Sequence, residues 1–191
     1  MDKNIINKFG YAEMYEWEPN SPYISDSNIY IGRFVTFSKN NPDKIILANN
    51  NDFILGVTTV NFTEVSDNPD EWKFKYMMDE YGDVYVKSKI KYYGKKEYDD
   101  INEFYYINII QNKESERVIN QHYDENTKYI NRLNRKEWTS INILGKCIVK
   151  DNGECIPGQF CSCGNNGIAI PGKDYYILSR ISKNTIMILF K

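Results

Sequence analysis

The sequence predicts a mainly β protein: a single-domain barrel or sandwich of short strands, with one short helix and a long polar loop. Three observations lead there. The apolar segments are short and rich in β-branched and aromatic residues, among them 16 Tyr, which favour strands. Turn formers separate them: Asn41-Pro42-Asp43, Asp151-Asn152-Gly153, Pro157-Gly158, Asn165-Asn166-Gly167 and Pro171-Gly172. No heptad run, internal repeat or linker interrupts the 191 residues, a length that buries roughly 70% of the unfolded surface in one fold.

The first element is Tyr11–Trp17 (YAEMYEW). If extended, it sets Tyr11, Glu13, Tyr15 and Trp17 on one face and Ala12, Met14 and Glu16 on the other. Further strands are expected over 30–37, 44–48, 53–60, 84–90, 104–110, 143–150, 175–181 and 185–190. Asn68-Pro69-Asp70-Glu71 reads as a helix start, with an N-cap, a proline at the first helical position and an acid at the third. Trp72, Tyr76 and Met77 would then share a face, and the helix would end before Gly82 and plug a barrel end. Residues 111–128 are polar and aperiodic, which predicts a surface loop or a segment ordered by a partner. The domain reading is an N-terminal segment over 1–9 and one domain over 10–191.

Composition excludes several functions. A net charge of −2 with no basic block argues against nucleic acid or an anionic membrane as partner. No stretch reaches the ~18–20 apolar residues of a membrane span, and no export signal is visible, so the four Cys are expected as reduced thiols. Cys155, Cys161 and Cys163 do not have zinc-knuckle spacing, and the single His122 is far off, so no metal is expected and the cysteines read as small strand residues. His122 lies in the polar loop without an orienting partner, which argues against Ser-His or Cys-His catalysis. There is no phosphate-binding loop or dinucleotide fingerprint, and no cofactor is expected. The Asn/Lys/Ile/Tyr bias fits an AT-rich genome.

Glu13 is the candidate with chemistry. Between two aromatic rings, a carboxyl group can be desolvated enough to act as a general acid toward a peptide bond. The plainer alternative is aromatic packing, with Glu13 turned to water or paired with an Arg.

Tyr11-Ala12-Glu13-Met14-Tyr15-Glu16-Trp17 is followed by IGRFVTF, KIILA, FILGV and DEWKFKYMMDEYG. Further on come YINRLNRKEWTSINILGKCIVKDNGECIPGQFC and GIAIPGKDYYILSRISKNTIMILF. In this order the blocks resemble the peptidase G2 family, the intramolecular-chaperone autoproteolytic domain of Bacillus-phage pre-neck appendage (tail spike) proteins. The resemblance covers about residues 10 to 190, broken mainly by the polar loop.

The resemblance implies a domain that helps three spike chains assemble and is then cut away. The family's cut falls directly before an Asp-Tyr-Ala-Glu tetrad whose two acids form the proposed catalytic pair. Tyr11, Ala12 and Glu13 match that tetrad, but the Asp position is Gly10, and the bond concerned joins Phe9 to Gly10. The expectation is therefore a family fold with impaired cleavage; Asp2 is no obvious substitute, and only nine residues precede the motif.

Trp17, Trp72 and Trp138 read as core or interface anchors, and Arg132, Arg135 and Glu137 as an ion-pair cluster near a subunit contact. The resulting expectation is a homo-oligomer, a trimer, with a spike or structural protein as client. It would be made in the bacterial or host cytoplasm and associated with the virion. Two alternatives stand beside it: an active glutamic-type peptidase using Glu13 alone, and a surface module whose Tyr residues bind glycan.

Overall fold

The computed structural model describes residues 8–19, 21–22, 27–102 and 104–191, so Asp2 lies outside the described residues. The protein is mainly β, and its chain divides into two compact units, one formed by the segments before Glu71 and after Tyr129, the other by Glu71–Tyr129.

The first unit holds ten strands in one continuous sheet. They are β1 (Tyr11–Trp17), β2 (Phe34–Phe37), β3 (Lys44–Leu47), β4 (Gly56–Thr59), β5 (Glu64–Ser66), β8 (Trp138–Lys150), β9 (Phe160–Cys163), β10 (Ala169–Pro171), β11 (Tyr175–Ser182) and β12 (Thr185–Phe190). Strands β8, β4, β2, β3 and β1 follow one another, and a further pairing of β1 with β8 closes them into a five-strand barrel. Closure leaves these five strands without an open edge, while β10 and β5 remain the ends of the larger sheet. Strand β1 is the closing stave: it runs antiparallel to β8 along its whole length and parallel to β5 and then β3 on its other side.

One core cluster comes from the inward face of the barrel strands: Trp17, Val35, Ile45, Leu47 and Ile141. Their register is the reason, since Trp17 lies opposite Ile45, and Val35 opposite Leu47. The 13-residue β8 then leaves the barrel at Gly145 and continues beside β12, carrying the chain into β11, β9 and β10. Here Phe34 and Val57 meet Val149, Ile177, Ile186, Ile188, Phe190 and all four cysteines in a second core. Cys147, Cys155, Cys161 and Cys163 are buried free thiols; burial pushes Cys155 up to about 11 and Cys161 and Cys163 up to about 12. They are held as protonated apolar fillers rather than as nucleophiles. The turn after β8 is tied by buried Asp151, which accepts from the N–H groups of Gly153 (3.1 Å) and Cys155 (3.3 Å) and pairs with Arg180 (2.8 Å).

The second unit is an arm. Strands β6 (Val86–Asp99) and β7 (Phe104–Arg117) pair antiparallel over 14 residues each, without a slip in register. Two expectations are corrected here. The helix over 68–82 does not form: Tyr76 bridges Ile119, Met78 bridges Val84, and Met77 bonds Val118 and Tyr85 through its backbone. Those cross-chain bonds take the donors and acceptors that a helix would use internally. The polar loop over 111–128 is also shorter than its composition implies, because its first seven residues complete β7 opposite Val86–Tyr92.

Alternation sorts the arm's side chains onto two mixed faces. One carries Val86, Ile90, Tyr92, Ile107 and Ile109 among Lys96, Gln111, Lys113 and Arg117, with Tyr92, Ile107 and Ile109 each about two-thirds exposed. The other carries Lys87, Lys89 and Lys91 opposite Glu116 and Glu114, with Lys91–Glu114 at 2.5 Å and Lys89–Glu116 at 3.8 Å.

Candidate functional site

The tetrad positions lie where β1 begins. Gly10 has φ +66°, a left-handed conformation that glycine reaches without penalty, and its carbonyl accepts from the Thr63 N–H at 3.0 Å. Phe9, on the other side of the candidate bond, is half-buried. Directly after Gly10 the pairing with β8 slips: Tyr11 faces Leu144, Ala12 faces Asn142, and Ile143 is the extra residue of a β-bulge.

Both faces of β1 are covered: alternation buries Ala12 and Met14 on one and leaves Glu13 half-buried on the other, beside Tyr15, which packs with the buried Trp17 of the barrel core. The Tyr15 hydroxyl donates to Glu13 Oε2 at 2.9 Å. Burial, reinforced by that carboxylate and by Asp67, pushes the Tyr15 phenol up to about 12. A phenol so shifted stays protonated and is a fixed donor to Glu13 at every ordinary pH. Asp67 reaches this neighbourhood because β5 runs parallel to β1, with Ser66 opposite Glu13.

The basic residues distribute differently from a single cluster. Arg135 pairs with Glu137 at 2.7 Å, whereas Arg132 pairs with the Asp67 carboxylate and donates to its backbone carbonyl at 2.7 Å. Both guanidinium groups lie over the Trp138 ring, at 3.8 Å for Arg132 and 5.6 Å for Arg135. Trp17 is fully buried in the barrel core. Trp72 belongs to the second unit, edge-on to Tyr129 at 5.1 Å.

Thus Phe9, Gly10, Glu13 and Tyr15 come together at the barrel's closing strand, while Arg132 and Trp138 approach through Asp67. Two neighbours have no cue in sequence, Asp67 and Asn142, because strand pairing alone brings them to β1. No carboxylate stands at position 10. Among the described residues, no cluster of His, Cys, Asp or Glu could hold a metal, and no helix is long and apolar enough to cross a membrane.

The Peptidase_G2 family, described as the IMC autoproteolytic cleavage domain, matches residues 5–186. The fold is similar to that of pre-mature bacteriophage phi29 gene product 12, with a TM-score of 0.70 and 20% identity over 97% of this chain. It is similar too to the C-terminal fragment of that protein, with a TM-score of 0.66, 21% identity and 95% of this chain covered. The chain spans 22% of the pre-mature protein's length and 99% of the fragment's. No curated protein matches it.

Proposed function

This chain belongs to the Peptidase_G2 family of IMC autoproteolytic cleavage domains, and on that premise we propose that it is an assembly domain for a viral spike or surface protein. It promotes trimerisation of its client, associates with the virion, and has self-cleavage impaired by Gly10 in place of an acid. The observation that carries the assembly reading is the arm. An isolated two-stranded hairpin is marginally stable at best in water, and this one exposes Val86, Ile90, Tyr92, Ile107 and Ile109 on one face. Contact with another protein chain would cover that face, and the Lys–Glu pairs opposite keep the ribbon soluble until then. Gly10 carries the second half: a reaction shared between two carboxylates loses orders of magnitude when one is removed.

A native mass spectrum of freshly purified protein tests both halves. The expected species is a trimer of intact chains. An intact monomer overturns the assembly reading. A chain shortened near Phe9–Gly10 overturns the impairment and restores a peptidase acting through Glu13, whose Glu13→Gln variant would then stay whole.

A further inference from the structure

Asn142 is fully buried on β8, beside the start of β1. Its partners lie on its own strand. Nδ2 donates to the Lys146 carbonyl at 2.8 Å, and Oδ1 accepts from the Leu144 N–H at 3.3 Å. These two bonds staple the bulge that holds Ile143, Leu144 and Gly145 against Gly10. The packing is tight from both sides. A Cβ added at position 10 would lie 2.6 Å from Asn142 Oδ1 and 2.7 Å from the Leu144 carbonyl oxygen, with Asn142 Nδ2 nearer still. A Cβ added at position 145 would lie 3.1 Å from the Gly10 Cα.

Conformation alone does not forbid an acid at position 10, since Asp is among the residues that tolerate the left-handed region. Steric exclusion does. We infer that Asn142 is a positioning residue that closes position 10 to any side chain, by filling its space and by fixing the Leu144 carbonyl over it. This deepens the reading of Gly10 as the cause of impaired cleavage and rests on it: the missing acid cannot be replaced by one substitution, because the bend is packed around glycine.

The test is a double-mutant cycle on the full chain, read by thermal melting. Gly10→Asp alone should lower Tm by roughly 5–10 °C, as overpacking of a closed site does in a protein of this size. Gly10→Ala should show a comparable drop with no added charge. Asn142→Ala alone should also lower Tm, since it leaves the Lys146 carbonyl and Leu144 N–H without their partner. In the Gly10→Asp/Asn142→Ala and Gly10→Ala/Asn142→Ala pairs the losses should be less than additive. If Gly10→Asp fails to fold, Asn142→Ala in that background should restore a folded protein.

Additive losses, a Gly10→Asp protein as stable as the unaltered chain, or a non-folding variant that Asn142→Ala does not rescue would overturn the inference. The chain mass of the unaltered protein reports separately on the reading beneath it. A shortened chain defeats the role given to Gly10 and leaves the cycle to be judged on Tm alone.

Discussion

At the scale of single residues, the Tyr15–Glu13 contact makes an alkaline prediction. The folded-state pKa of Tyr15 is raised to about 12, first by burial and then by Glu13 and Asp67. A raised pKa contributes stability that is present below the ordinary tyrosine value of about 10 and is lost as pH rises through the folded value. Stability should therefore fall between about pH 10 and about pH 12. Tyr175, half-buried and raised to about 12 by desolvation, adds to the same loss. An ultraviolet titration should show Tyr15 ionising late: Tyr15→Phe removes that step at a cost of about 1 kcal/mol, and Glu13→Gln moves it down without normalising it. A Glu13→Gln protein with an unchanged late step would mean that the hydrogen bond is not formed in solution. This contact was half legible in sequence, because alternation alone sets residues 13 and 15 on one face. The Gly10–Asn142 contact was not, for nothing near either residue signals a neighbour 132 positions away.

The arm raises the corresponding question for an element. Its charged face holds Glu114 below the usual carboxylate range, chiefly through the Lys91 hydrogen bond, and raises Lys91 in return. Asp99, near the turn, is lowered by the side chain and backbone of Asn102. Depressed carboxylates contribute stability above their ordinary pKa of about 4 and lose it as pH falls through the lowered value; the raised lysine loses its share only as pH climbs past about 10. Amide protection along β6 and β7, corrected for intrinsic exchange, should fall selectively on acidification to about pH 3 and in about 1 M salt, where screening reaches within about 3 Å. Protection that falls equally in the barrel would show that these pairs do not hold the arm. The same pairs explain why half of β7 reads as loop. With water on both faces, no apolar alternation marks Gln111–Arg117, and its register comes only from β6. The expected helix failed for a related reason: its start signals at Asn68–Glu71 are local, whereas the bonds from Tyr76, Met77 and Met78 to 84–85 and 118–119 are not. By contrast, Thr185–Phe190 forms where expected because its alternation and burial agree along the whole strand.

For the whole molecule, what matters is which unit supplies the stability and which supplies the contact with other chains. Every strand of the ten-stranded sheet lies in the first unit, and both apolar cores are drawn from that unit alone. The arm contributes to neither core, so its 59 residues, 71 to 129, are not needed to close the barrel. The two ends of the first unit that flank it are already held together: Arg132 pairs with Asp67, and the Leu133 N–H donates to Asn68 Oδ1 at 3.3 Å. A short Gly/Ser linker from Asp70 to Ile130 should therefore span the gap at little entropic cost. The excised protein should melt in one cooperative transition within a few degrees of the full chain. If the arm's face with Ile107 and Ile109 is the assembly contact, the excised protein should also sediment as a monomer where the full chain is a trimer. Excision that leaves the trimer intact would move the assembly surface to the barrel, with Trp138 and its two arginines as the next place to look. Excision that abolishes the cooperative transition would mean instead that the arm is part of the folding unit, against the separation of cores described above.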